Sequence, residues 1–384
     1  MHCQRPFIPA WTRFSTTITL LFGVITLVPS ATETAIAQSL RSPQVNDDNT
    51  VTVRLKAANA KEVVANIAGQ RLKLTQNEGR IWEGTSASLP AGIHDYTFQV
   101  DGTMMIDPSN RNVKKWLTMA SMVEIPGKPA LLTEMQSVPH GSIQRCFYPS
   151  STVGTQRPVM VYTPPDYHAV QETKYPLVLL LHGFGDDETA WTEVGRANFI
   201  ADNLIAQGKI GPCIIAMPYG HPVPVPVEQR PDDYFASNND VYEQDIMKDL
   251  LPFLESRYSV RNDREGRSIV GLSMGGGHAL DTGLKNIEKF SAIGAFSAAV
   301  PQLSNDDLII KYPALAGPSP AANQLQHLWI PIGDKDFLLQ RNQSFIEQIR
   351  ENHVQFDFHL TSGGHEWKLW REYLPEFLIK VVGK

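Results

Sequence analysis

Cysteine is nearly absent: the chain of 384 residues carries only Cys3, Cys146 and Cys213. That is too few for a disulfide-stapled scaffold, and no two of them fall at the close spacing of a zinc site. No metal or other cofactor is expected. Pairing of Cys146 with Cys213 and burial of both as free thiols are equally open from the sequence. Charge is sparse as well. Only 19% of residues are charged, the formal net charge is −6, and there is no block of basic residues. A nucleic-acid partner is therefore not expected, because such binding needs Lys and Arg clustered against phosphates. Long apolar runs are missing too. The run from Ile18 to Val28 has eleven residues, against about 20 for a helix that spans a bilayer. No membrane span is expected in the mature chain.

That short run has a different reading. Arg5 and Arg13 precede it, and Ala35-Ile36-Ala37 follows it before Gln38. A basic stretch, an apolar core and a small-residue site together describe an export signal. The expectation is cleavage after Ala37, with residues 1–37 as a signal peptide and a secreted or periplasmic mature protein.

What the chain does have is an ordinary globular composition, 42% hydrophobic, and enough length for one large domain and a smaller one. Residues 38–50 are polar and read as a loose lead-in. From Val51 short runs alternate: Val51 to Leu55, Val63 to Ile67, Leu72 to Leu74, Ile81 to Glu83, Tyr96 to Val100, Met104 to Ile106 and Met122 to Ile125. Six or seven short strands separated by Gly, Asn and Pro predict an immunoglobulin-like β-sandwich over residues 43–127. Pro126-Gly127-Lys128-Pro129 reads as the hinge out of it. Trp82 and Trp116 are either stacking platforms for sugar rings or members of the sandwich core.

From residue 137 to 384 strands and helices alternate. Two strands around Ile143 to Tyr148 and Pro158 to Tyr162 form a hairpin-like pair. The strand Leu177 to Leu181 is apolar throughout, as a strand buried on both faces should be. Further strands are expected at Cys213 to Met217, Ile269 to Leu272, Ala292 to Phe296, Leu328 to Ile332 and Val354 to Leu360. Helices fall at Ala197 to Gln207, Asp240 to Tyr258, after Ser273, across Phe345 to Ile349 and around Leu374 to Val381. Eight strands in this order predict an α/β fold with a mostly parallel, doubly wound sheet.

The chemistry concentrates at the turns. Ile269-Val270-Gly271-Leu272-Ser273-Met274-Gly275-Gly276-Gly277 carries a G-x-S-x-G pentapeptide between strand and helix, which is how a nucleophile elbow reads. A serine hydroxyl needs a base to take its proton. His365, after Thr361-Ser362-Gly363-Gly364, is the candidate. The imidazole in turn needs a carboxylate to fix its tautomer. Asp336 is favoured over Asp334, both lying in Gly333-Asp334-Lys335-Asp336 after the preceding strand. A tetrahedral intermediate needs two N–H donors. The expected donors are the amides of Met274 and Phe184, with Gly185 as the alternative to Phe184. His182 is expected to brace that loop rather than move protons.

Leu181-His182-Gly183-Phe184-Gly185, Met217-Pro218-Tyr219-Gly220-His221, Gly271-Leu272-Ser273-Met274-Gly275-Gly276 and Gly363-Gly364-His365 with Trp367 resemble the esterase-D-like α/β-hydrolases. These are close to carbohydrate esterase family 1, with its feruloyl and acetylxylan esterases. The resemblance covers about residues 137–384, and the N-terminal sandwich resembles the early-set or glycogen-binding-like module that precedes such esterases. It implies metal-free ester hydrolysis through an acyl-enzyme on Ser273, with Asp336 and His365 completing the triad and Met274 and Phe184 as oxyanion donors. His278 departs from the pattern, where Gln or a small residue is commoner. The implied substrates are feruloyl or acetyl esters on plant polysaccharide or its fragments, with carbohydrate binding open to the sandwich. The alternatives are a siderophore esterase, against which export argues, and a carbohydrate-binding protein with an unused hydrolase fold. Phe184, Phe337, Trp367 and Trp370 are candidates either to line an aromatic pocket or to pack.

Overall fold

The computed structural model describes residues 40–168, 173–225 and 233–383, except for the side chain of Trp116. The expected signal segment, residues 1–37, lies outside them. Among the described residues no helix is long and apolar enough to cross a membrane.

The N-terminal part consists of two antiparallel sheets. One runs β1 (Gln44–Val45), β2 (Val51–Lys56), β6 (Ile81–Thr85), β5 (Thr75–Gln76). The other runs β4 (Gln70–Lys73), β3 (Val63–Ile67), β7 (Gly92–Val100), β10 (Ala120–Ile125), β9 (Val113–Lys114), with β8 (Thr103–Met105) on β7. Alternating residues Val51, Val53 and Leu55 meet Val63, Ala65, Ile67, Tyr96 and Phe98 in one core, the period-2 burial of a sandwich. There are ten strands rather than six or seven, because two-residue strands carry too few positions to show a period. Trp82 belongs to this core, its Nε1–H donating to the Ala57 carbonyl at 2.9 Å. The lead-in is not loose: β1 pairs with β2, and Ser42 Oγ donates to the buried carboxylate of Asp107 at 2.5 Å. Nor is the segment after Ile125 a free hinge. Glu134 accepts from the amides of Gly127 and Leu131 at 2.7 and 2.8 Å, and Asn203 holds the carbonyls of Leu132 and Glu134, each at 2.9 Å.

The second part is built on an eight-stranded sheet. In chain order it contains β11 (Ser142–Ser150), β12 (Thr155–Thr163), β13 (Leu177–Leu181), α1 (Ala190–Glu193), α2 (Ala197–Ala206), β14 (Ile214–Pro218), α3 (Tyr234–Asp245), a π-helical turn (Ile246–Leu250) and α4 (Leu251–Arg257). There follow β15 (Arg267–Leu272), α5 (Met274–Lys285), β16 (Ala292–Phe296), α6 (Asn305–Lys311), β17 (His327–Gly333), α7 (Leu339–Glu351), β18 (Asp357–Thr361) and α8 (Trp367–Val382). The spatial order is β11-β12-β14-β13-β15-β16-β17-β18, antiparallel from β11 to β14 and parallel thereafter. This is the α/β-hydrolase arrangement of a mostly parallel sheet with both faces covered. Along β13, Leu177, Leu179 and Leu181 enter the core on one face while Val178 and Leu180 enter that on the other. That is why the strand reads as an unbroken apolar run.

Two helices start earlier than expected, and each accommodates a proline further along. The helix expected from Asp240 begins at Tyr234 and passes through the π turn before α4. Pro252 has no N–H to give and crowds the preceding turn, and widening to a π turn absorbs both. In α8, Pro375 lies inside the helix, which starts seven residues earlier than expected, at Trp367. Strand β18 begins at Asp357 rather than Val354, because the Val354 amide is still bonded to the Ile349 carbonyl at the end of α7. The sandwich docks on this body through apolar contacts: Ile93 and Met122 join the hydrolase core around Trp367, Trp370 and Tyr373.

Candidate active site

The turns after β13, β15, β17 and β18 all open at the C-terminal edge of the parallel strands, where this topology gathers functional side chains. β15 ends at Leu272, and α5 begins at Met274. Between them Ser273 sits at φ 52°, ψ −117°, a strained conformation that costs on the order of 1–3 kcal/mol for a residue with a side chain. The surroundings impose it. A Cβ on Gly271 would stand 2.4 Å from the Gly275 carbonyl oxygen, and one on Gly275 would stand 2.5 Å from the carbonyl oxygens of Leu181 and His182. Only glycines let α5 pass this close to β13 and β15. The Ser273 amide donates to the Phe296 carbonyl at 2.8 Å, and its carbonyl accepts from Gly277 and Ala299 at 3.0 and 2.8 Å.

The side chains named from sequence converge here. His365 Nε2 is 2.9 Å from Ser273 Oγ, and His365 Nδ1 is 2.9 and 3.1 Å from the two carboxylate oxygens of Asp336. Asp336 has a fully buried side chain, whereas that of His365 is 17% exposed. Burial pushes the Asp336 carboxyl up. Hydrogen bonds from His365, the Leu338 amide (2.8 Å) and Ser297 pull it net below the usual carboxylate value. It is thus held as the anion. Asp334 is exposed and does something else: its Oδ1 accepts from the Gly363 amide at 2.9 Å, tying the acid loop to the histidine loop.

Ser297 was not singled out in the sequence. It also has a positive φ, 44°, and its Oγ accepts from Trp370 Nε1 at 3.2 Å, which places an aromatic ring edge-on to His365 at 5.0 Å. A lone serine after a strand carries no signal that would have found it. Phe337 is 74% exposed, and its ring centroid is 4.5 Å from that of His365. Trp367 is packed between Trp191 and Trp370, at 5.0 and 5.4 Å, so it belongs to the core.

The loop after β13 is fixed by His182. Its Nδ1–H donates to the Gly183 carbonyl at 2.9 Å, and its Nε2 accepts from the Gly220 amide at 2.8 Å. Burial pushes this imidazole down to about 4, so the ring is neutral and both nitrogens are used in bracing. Phe184 follows, its ring against His221, Tyr234 and Phe235. Met274 is the first residue of α5, and first-turn amides have no intrahelical acceptor. Ser273, His365, Phe184 and Trp370 line a cleft of ≈ 1370 Å³ whose opposite wall is sandwich, including His94, Asp95, Lys114 and Thr118. Cys146 and Cys213 are both buried and unpaired, far from any role here; burial raises the Cys213 thiol to about 12. Among the described residues no cluster of three or more His, Cys, Asp or Glu is arranged to hold a metal ion.

A family model described as "Putative esterase" matches residues 150–381, more than half of the chain. A protein from Xylanibacter ruminicola named endo-1,4-beta-xylanase/feruloyl esterase is 28% identical over 349 residues, which is 87% of this chain and 45% of that protein. The chain spans less than half the length of this relative. Among solved structures, a ferulic acid esterase aligns at 26% identity with a TM-score of 0.55, over 64% of this chain and 99% of the other. The enterobactin esterase of Shigella flexneri, solved in the presence of 2,3-dihydroxy-N-benzoyl-serine, aligns over 86% of this chain and 92% of its own. Its TM-score is 0.62 at 17% identity, a likeness of fold.

Proposed function

The chain belongs to the Esterase family, and from that premise we propose that it is a carboxylic ester hydrolase in which Ser273 is the nucleophile, His365 the general base and Asp336 the acid that orients it. The observation that carries this reading is the unbroken hydrogen-bonded line from Ser273 Oγ through the imidazole to a buried, ionised carboxylate. Ser273 Oγ attacks the ester carbonyl while its proton passes to His365 Nε2. The imidazolium is stabilised through Nδ1–H by Asp336. The oxyanion of the tetrahedral intermediate is received by the amides of Met274 and Phe184, each worth about 3 kcal/mol in such a site. His365 then returns the proton to the departing alcohol, leaving an acyl-Ser273. Water, deprotonated by the same imidazole, attacks that ester and releases the acid.

The substrates are esters carried on plant polysaccharide or its fragments, with feruloyl ahead of acetyl. Supporting this are the feruloyl esterase among the relatives and the aromatic surroundings of His365 from Phe337 and Trp370. A siderophore substrate gains nothing from the enterobactin esterase, which is like this chain in fold alone. Export rests on the pattern in residues 1–37. Sugar binding by the sandwich loses one of its two supports, since Trp82 is a core residue.

The test compares initial rates on a short acyl ester, methyl ferulate and an acetylated xylan fragment, with the Ser273→Ala variant as control. Turnover confined to the parent protein and fastest on ferulate is expected. Turnover retained by Ser273→Ala removes the mechanism, and a preference for acetyl groups keeps the triad but changes the acyl class.

A further inference from the structure

The loop that carries Phe184 is flanked by Gly183 and Gly185, the latter at φ +87°. A glycine-flanked loop is soft. An oxyanion donor is nevertheless useful only if it is held about 2.7–3.1 Å from where the charge develops. On the hydrolase side His182 fixes Gly183. On the other side the loop meets the sandwich. A Cβ on Gly185 would stand 3.4, 3.7 and 4.0 Å from the Cβ, Cδ1 and Cγ of the half-exposed Leu117, in the short 3-10 turn Trp116–Thr118, and the last two of these atoms are the ones Leu117→Ala removes. Lys114, at the end of β9, is 14% exposed and lies 3.8 Å from Asp95 on β7. Asp186, the next residue of the loop, is buried, at 7% exposure. Burial raises its carboxyl to about 7, and the Lys114 charge is the chief influence opposing that rise. Beyond the loop, Lys115 Nζ donates to Glu193 Oε1 at 2.7 Å. The sandwich thus borders the loop with Leu117 against Gly185 and with Lys114 lining the same cleft as Asp186, while Lys115 is bonded to the helix that follows the loop.

We propose that segment 114–118 of the sandwich is a clamp that positions the oxyanion loop, with Leu117 and Lys114 acting as positioning residues for ester hydrolysis through the Phe184 amide. This rests on the reading of Phe184 as an oxyanion donor. It makes the sandwich part of the catalytic apparatus whether or not it binds sugar.

The experiment measures kcat, KM and affinity for phenylboronic acid in the full chain, for Leu117→Ala and Lys114→Met beside Leu117→Met and Lys114→Arg. The boronate forms a tetrahedral adduct on serine that places an oxygen where the oxyanion forms. Loosening a donor costs less than deleting one, so kcat is expected to fall about tenfold with KM within about twofold. Boronate affinity should fall by the same factor, and the two conservative variants should recover most of both. Unchanged kcat and boronate affinity would overturn the clamp. So would losses fully explained by a smaller folded fraction in calorimetry. A parent protein whose turnover survives Ser273→Ala would instead sink the underlying oxyanion reading, a separate result.

Discussion

Acid should unfold this protein through histidines that never touch a substrate. His182, His221 and His278 are buried behind the site, and burial is the chief cause that pushes them down to about 4, 2 and 3; the His182 charge adds to this at His221 and His278, and Arg157 at all three. In the unfolded chain each would titrate near 6.5. Because the folded values lie below the unfolded one, the unfolded chain takes up protons first as pH falls. The stability contributed is therefore complete above about 6.5 and drains away below it. At pH 5 each histidine costs about 2 kcal/mol, whatever its folded value, so long as that lies well under 5. Three cost about 6 kcal/mol, set against about 5–15 kcal/mol for a typical domain. His278→Gln isolates one share. Its Nε2 accepts from Asn238 Nδ2 at 3.0 Å, a bond that the amide oxygen of glutamine can replace. Urea unfolding of both proteins at pH 7 and pH 5 should show the parent losing about 2 kcal/mol more than the variant. Equal losses would mean that His278 binds its proton in the folded state and that the burial argument is wrong.

Asp336→Asn should lower kcat by about 10⁴ by presenting the wrong histidine tautomer, while Asp334→Asn, which keeps an oxygen for the Gly363 amide, should cost less than about tenfold; steady-state rates on any accepted ester decide it, and the reverse order would reassign the acid. Gly275→Ala forces a methyl against the backbone carbonyls of Leu181 and His182 and should destroy activity or folding; a variant with parental rates would show that the elbow is not constrained as described. Since Cys146 and Cys213 are unpaired and buried, reductant should leave the melting temperature unchanged, and a thiol reagent should label neither until denaturant is added.

The parts of this fold that can be read from sequence are those where one local cause decides. β13 is legible because both its faces are buried, and the elbow because strand, serine and helix must pass within contact distance, which only glycines allow. Ser273, His365 and Asp336 follow from their positions after strands. α6 was missed although its signal is present: Ser304 caps it by accepting from the Asp307 amide, and the serine–acid spacing could have been used. The start of α8 was missed because Pro375 looks like a boundary in a sequence, while in the protein the helix runs through it. Ser297, Asp186, Lys114 and Leu117 were out of reach for another reason. Their placement depends on which segment lies opposite, and the sandwich meets the loop after β13 through side chains with no motif of their own.

The buried guanidinium of Arg371 has a consequence for how the protein is made. From α8 it donates to the Val194 carbonyl at 2.9 Å and to that of Ile93, in the sandwich, at 3.4 Å. The second bond joins residues 278 positions apart in the chain. During synthesis the sandwich emerges early, yet the cluster that Ile93 and Met122 join lacks Trp367, Trp370 and Tyr373 until α8 follows it out. For most of translation that apolar cluster is open to chaperones and to neighbouring nascent chains. A ribosome stalled before α8 should therefore display a sandwich that is folded but adhesive.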